Sequence, residues 1–352
     1  MRKKLKVYKV LFGIVCMMLL ISACQKSQEA ITVNPNEDSM NEESESIIQE
    51  EAQPIKAVVR VGTLKGPTGM GMVRLMEQSE KGETTLNYTF EVLDSPDELV
   101  SKIISGEVDV AAVPTNVALL LYNKTEGEVM VAAVNTLGVL SLLENGNEIH
   151  EISDLKDKTV YVSGKGASPD FILQFLLEKA GLVINQDVTL AYNLQHADLA
   201  AAMAEGDVAI GLLPQPHVTT AMMKNPELRI AVDMTKVWEE ANVGNQLAMG
   251  VLVAQTAFAK TNQETLNLFL EEYEASVVYV NENIEESAQL VETMGILPSA
   301  AIAQKAIPFS NIVYIDVDEA RPFLDAYFKV LYDFEPNSIG GKLADDAFYY
   351  EK

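Results

Sequence analysis

The sequence predicts an α/β protein built as two lobes of similar design, and three observations carry that expectation. From residue 57 onward, short β-branched runs alternate with amphipathic stretches of helical period, the pattern of sheets with crossover helices. The same order of strand, loop, helix and buried strand recurs about a hundred residues later. Some 295 residues remain after the N-terminal segments, about two domains' worth of core, and 48% of the whole chain is hydrophobic.

In order, residues 58–62 read as a first strand, the loop LKGPTGMG leads to a helix over 70–80, and 88–93 reads as a second strand. Ser95-Pro96-Asp97-Glu98 places a capping hydroxyl, a proline at the first helical position and an acid at the third, predicting a helix over 96–105. A third strand follows over 108–113 and ends at Pro114-Thr115-Asn116. The second half repeats this with a strand at 159–162, the loop SGKGASPD, a helix over 170–180, and a strand at 188–192. A helix over 198–205 and a strand at 208–213 complete the repeat, ending at Pro214-Gln215-Pro216. The segments SGEVDVAAVPTN (105–116) and EGDVAIGLLPQP (205–216) align element for element. A strand at 246–253 returns the chain to the first lobe, and helices are expected over 263–280, 284–294, 299–306 and 318–332.

The N-terminus reads as an export signal. Arg2, Lys3, Lys4, Lys6 and Lys9 precede an apolar run over 10–21, too short to span a bilayer comfortably, and Ile21-Ser22-Ala23-Cys24 has the form of a lipobox. Residues 1–23 are expected to be a signal peptide and Cys24 to be lipidated. Residues 24–56, rich in Glu, Asn, Ser and Gln, read as a disordered acidic tether spanning on the order of 30 Å. Five of the 26 basic residues lie in the leader, leaving 21 against 51 acidic ones, which argues against nucleic acid as a partner and leaves membrane attachment to the lipid. The only other cysteine, Cys16, falls in the leader, and His150, His196 and His217 show no ligand spacing, so neither a metal site nor a cofactor is expected.

In open α/β sheets, ligands bind beyond the carboxyl ends of the strands. Four loops qualify. Lys65, Gly66, Thr68, Gly69 and Met70 form the first, with a cation, a hydroxyl and glycines that permit close backbone approach. Thr115 and Asn116 form the second. Gly164, Lys165, Gly166, Ala167 and Ser168 form the third, at a helix start whose free N–H groups suit an anion or polar oxygen, Ser168 reading either as helix cap or as ligand contact. Pro214, Gln215 and His217 form the fourth, with a two-sided amide held between prolines. Asn193 is a further candidate at a strand end, while Trp238 reads as core in preference to a stacking platform. No GxSxG elbow, paired carboxylates or metal motif appears, so no catalytic residue is expected.

The strings GTLKGPTGMGM (62–72), GEVDVAAVPTN (106–116), ISDLKDKTVYVSGKGASPDFILQFLLEKAGL (152–182), EGDVAIGLLPQP (205–216) and SIGGKLADDAFYY (338–350), in that order, resemble the substrate-binding lipoproteins of ABC importers. The resemblance is to the SsuA-like group related to nitrate, sulfonate, taurine and thiamine-pyrimidine binders, and covers nearly the whole body. It implies the type II periplasmic-binding-protein fold, with a ligand cleft, one hinge crossing near 135–138 and another near 248–252. The first lobe would then comprise 57–136 and 249–352, and the second 137–248. It also implies a small-molecule solute, a membrane permease with a cytoplasmic ATPase as partner, a monomer, and no enzymatic activity. Binding residues carry over at Thr68, Asn116, the glycine-serine loop and 214–216. Many relatives have glutamate where this chain has Gln215, which puts a ligand needing that carboxylate in doubt. The related eukaryotic pyrimidine synthases use a cysteine-rich iron site, for which this mature chain has no cysteine. An extracellular sensor lobe and an enzyme of dehydratase type remain the alternative readings. Gln25 carries no sorting signal, so a Gram-negative periplasm stays open beside the favoured Gram-positive surface.

Overall fold

The computed structural model describes residues 57–241 and 245–352; the leader, Cys24 and the acidic segment up to residue 56 lie outside the described residues. Eleven strands among them form two mixed sheets. The first holds β1 (Val58–Leu64), β2 (Asn87–Leu93), β3 (Val110–Pro114), β4 (Val129–Thr136), β10 (Gly250–Gln255) and β11 (Ile312–Asp316), in the spatial order β11-β4-β10-β3-β1-β2. The second holds β5 (Leu140–Glu144), β6 (Thr159–Val162), β7 (Thr189–Ala191), β8 (Ile210–Pro214) and β9 (Arg229–Asp233), in the order β7-β6-β8-β5-β9.

The repeat seen in the sequence is a repeat of topology. β1 runs parallel to β2 on one side and to β3 on the other, and β6 runs parallel to β7 and β8 in the same way. An antiparallel strand then closes each trio: β10 beside β3, β5 beside β8. That strand arrives from the other lobe in both cases. The chain crosses between β4 and β5, and again between the helix Met234–Ala241 and β10.

At the first crossing Gly138 is closely packed, and a Cβ built there would lie 2.0 Å from Thr235 Oγ1, so a side chain at this position would force a shift. Asn311 holds the same turn from the first lobe: its carbonyl accepts from Leu137 N–H at 3.0 Å, and its side-chain amide donates to the Gly138 carbonyl.

Several local expectations hold. Ser95 Oγ accepts from Asp97 N–H at 3.2 Å, capping a helix over Pro96–Ile104. Others are corrected. The helix expected over 70–80 is two pieces, Pro67–Met70 and Val73–Glu80, because Ser276 intervenes: its hydroxyl donates to Gly71 O at 2.7 Å and accepts from Leu75 N–H at 3.1 Å. The helix expected from 170 begins at Ser168 and is capped by the backbone of Ala167, so Ser168 is not a side-chain cap. Strands β4, β5, β9 and β11 were not among the strands read from the sequence.

One apolar cluster runs through both lobes. It passes from Leu64, Val113 and Val134 through Leu140 and Leu142 to Phe175, Trp238, Tyr327 and Phe328. Separate clusters cover the far face of each sheet, one around Met70, Leu75, Phe269 and Tyr273, the other around Leu199, Met203, Leu213 and Val218. Trp238 is fully buried, as core, between Phe175 at 5.0 Å and Tyr327 at 5.8 Å. Among the described residues no helix is long and apolar enough to cross a membrane.

Candidate functional site

The carboxyl ends of β1 and β3 in one lobe and of β6 and β8 in the other each feed a helix start. These are Pro67–Met70, Thr115–Lys124, Ser168–Lys179 and His217–Lys224. The four loops meet where the lobes face each other.

The bridge between lobes is a relay of hydroxyls. Tyr327, from the long helix Val317–Phe334, donates to Ser168 Oγ at 2.8 Å, and Ser168 donates to Asn116 Oδ1 at 3.1 Å. Tyr327 is fully buried and Ser168 nearly so. Burial pushes the Tyr327 phenol up from its ordinary pKa, so it stays a neutral donor. Nothing near Tyr327 in the sequence marks it for this role; its partner lies 159 positions away.

A second approach joins the other pair of loops. Gly66 has φ of 98°, a left-handed conformation in which its carbonyl accepts from Gly69 and Met70 at 3.0 and 3.2 Å, and a Cβ built there would lie 4.0 Å from Pro216 Cδ. Beneath it the amide of buried Asn135 donates to Thr68 O at 3.2 Å, and Thr68 packs against Gly250. Thr68 is therefore tied to both hinge crossings. Thr115 is buried, and its hydroxyl finds no hydrogen-bond partner among the described residues.

The remaining residues read from the sequence divide into those inside and those turned away. Gly164 and Gly166 both have positive φ, Ala167 N–H donates back to Gly164 O at 3.0 Å, and Gly166 N–H donates to Asp170 Oδ2 at 2.8 Å, so part of this loop's donor capacity is already spent within the loop. Lys165 is exposed, with its ammonium 5.1 Å from the centre of the Tyr192 ring. Lys65 is exposed and paired with Asp94 at 2.7 Å. Met70 is wholly in the core, and the close approach that Gly69 permits is to Leu64 O and Ile296. Asn193 is exposed.

Gln215 is buried, and its Oε1 accepts from Thr219 Oγ1 at 2.8 Å. The side chain borders a cavity of about 450 Å³ with Thr219 and Ile230 of the second lobe and Pro308 and Phe309 of the first. That groove opens beside the junction of the four loops. Pro214 ends β8, paired with Leu140 of β5.

His217 stacks on His196, with ring centres 5.4 Å apart and planes inclined by 30°. His196 Nδ1 is hydrogen-bonded to the buried hydroxyl of Ser163. Burial lowers the pKa of both rings, and His196 beside it helps push His217 down to about 4, so the pair is neutral at pH 7. Among the described residues no cluster of three or more His, Cys, Asp or Glu side chains could hold a metal ion.

The architecture recurs in solved structures. An ABC transporter protein from Parabacteroides distasonis superposes with a TM-score of 0.72 at 24% identity, over 84% of this chain and 99% of that one. The periplasmic aliphatic sulphonate binding protein SsuA from Escherichia coli gives a TM-score of 0.67 at 20% identity, over 82% and 95%. A Candida albicans protein described as exhibiting the generic periplasmic binding protein structural fold gives 0.51 at 15%, over 82% and 98%. At these identities the likeness shows the fold, two α/β lobes of the periplasmic-binding-protein kind. No curated protein matches the chain. Residues 70–334 match the family model VitK2_biosynth, described as menaquinone biosynthesis. That match takes in about three quarters of the sequence, and the protein belongs to this family, described as menaquinone biosynthesis.

Proposed function

We propose that the protein is a solute-binding lipoprotein of an ABC importer, which captures a small organic molecule between its lobes and presents the closed form to a membrane permease with its cytoplasmic ATPase. The observation that carries this is the Tyr327–Ser168–Asn116 relay, which joins strand-end loops of the two lobes at the place where a cleft ligand would sit. A ligand that touches both lobes favours their closed arrangement over the open one, and only that differential contact can drive the change. The structural neighbours, ABC-type binding proteins by their titles, support a binding role without chemistry. Thr68, Thr115, Asn116, Ser168, Gln215 and His217 are the contacts we assign to the solute. With Lys65 neutralised by Asp94, Lys165 is the lysine left for an anionic group.

Lipidation of Cys24 and an extracytoplasmic position at the membrane, on a Gram-positive surface, belong to the same proposal and rest on the lipobox. A thermal-shift screen over sulfonates, nitrate, pyrimidines and aromatic acids tests the binding reading: a cleft solute at a hundred times its Kd adds about 2.7 kcal/mol to stability. Silence across all four classes would sink it. The family description favours one alternative, an enzyme acting on the bound compound. Recovery of the bound compound chemically unchanged after prolonged incubation decides for binding, and a new product decides for the enzyme.

A further inference from the structure

Of the stacked imidazoles of His196 and His217, only His217 is among the contacts assigned to the solute, and the pairing itself has no task in the closure just described. His196 is anchored at Nδ1 by Ser163, leaving Nε2; neither nitrogen of His217 makes a hydrogen bond to protein among the described residues. Three ring nitrogens are thus available on one half-buried platform. Gly164 covers one edge, its built Cβ lying 3.9 Å from His196 Cε1, and Pro216, next to His217, faces Gly66 of the other lobe.

We propose that this pair is a proton-coupled oxyanion subsite: a compact acidic group of the solute binds on the imidazoles, and the pair takes up one proton from solvent as it binds. The proposal rests on the reading of the interlobe cleft as the solute site.

The electrostatics favour such coupling. Each ring opens a helix, His196–Glu205 or His217–Lys224, and the positive end of a helix dipole disfavours a cation there. Burial acts the same way on both rings, and the neighbouring His196 adds repulsion at His217, which is why the pair is held neutral. An oxyanion at their free ring nitrogens counters all three effects at once, since it offsets the dipole, replaces lost solvation and attracts the new charge. The charged groups on the packed elements do not pre-empt it. Asp170 is taken up by Gly166 N–H, Gln174 and Tyr192; Lys165 lies over the Tyr192 ring; Lys65 is paired with Asp94. Asp198, on the helix of His196, is exposed, and Lys305, on the helix packed against His217's, borders the Gln215 groove. No carboxylate pairs with either ring among the described residues.

The chain has three histidines, so imidazole Cε1 labelling yields three resonances, assigned by single His→Gln variants, with the exposed His150 as internal control. The full chain in detergent is titrated from pH 8 to 4 in sodium chloride, sodium sulfate and sodium acetate at equal ionic strength. The expected result is an upward shift of the pair's midpoint by at least about one pH unit in sulfate or acetate relative to chloride, with His150 unmoved. One unit corresponds to about tenfold tighter anion binding to the protonated than to the neutral pair. His196→Gln should abolish the shift seen at His217, while a well-dispersed spectrum and an unchanged His150 titration show that the variant is folded. A pair that moves no more than His150 in both oxyanions overturns the proposal. The titration requires no identified solute, so a silent solute screen would refute the importer reading while leaving a positive shift standing, and a flat titration would leave a positive screen untouched.

Discussion

Ser168 accepts from the buried Tyr327 and donates to the half-buried Asn116, so its removal leaves two groups without this partner. Ser168→Ala leaves the fully buried Tyr327 phenol without its acceptor, which costs roughly 1–3 kcal/mol, whereas Tyr327→Phe removes the donor and leaves a hydroxyl that still reaches Asn116. Urea unfolding should therefore rank Ser168→Ala as the more damaging, and the opposite order would show that the relay is incidental. The histidines make a pH prediction. A ring whose pKa is lowered by folding binds protons more readily when unfolded, so stability is highest above the unfolded value near 6.5 and falls as pH drops below it. For His217 the loss reaches at most about 2 kcal/mol by pH 5. Urea midpoints should fall between pH 7 and 5, less so in His217→Gln, and a flat profile in both would contradict the burial. The lysines show what residue types alone leave open. Lys65 and Lys165 announce a cation near a helix start, but Asp94 and Tyr192, which decide where each points, come from other elements.

Among the elements, the first crossing is the most constrained. Gly138→Ala forces a methyl into Thr235 Oγ1, so the turn between β4 and β5 must shift and both the Asn311 contacts and the lobe angle shift with it. We expect a loss of about 1–3 kcal/mol, with Thr235→Ala recovering part of it in the double variant, a coupling that independent sites would not show. The strands legible in the sequence, β1, β2, β3, β6, β7, β8 and β10, are mostly those that feed a loop of the site, and their β-branched runs stand between clear turn or cap signals. β9 and β11 are edge strands whose residues are largely half-exposed, and they acquire their pairing from β5 and β4. Their apolar pattern alone does not separate them from the helices that follow. Likewise His196 lacked a signal because its partner, His217, is brought alongside by the packing of two helices that separate loops introduce.

At the scale of the molecule, the apolar cluster through both lobes sets a limit on opening. Phe175, Trp238 and Tyr327 close one side of the interface, while the Gln215 groove lies beside Phe309 on the other, so the lobes should part there first. A solute that holds them together should raise Tm by roughly 5 °C at a hundredfold excess over Kd. Anchoring is tested separately: Cys24→Ser should release the protein from membranes into the soluble fraction, and continued membrane retention would refute the lipobox reading.

Trp238 is the chain's single tryptophan, and the ring set edge-on to it belongs to a helix that follows the last strand of the opposite lobe. The protein thus carries its own optical gauge. Light absorbed at the indole reports from one place, the seam between the lobes, so any excursion that lifts Tyr327 away and admits water should redden and dim the emission. The open and shut forms could be counted in unlabelled protein, solute by solute, before the natural ligand has been identified.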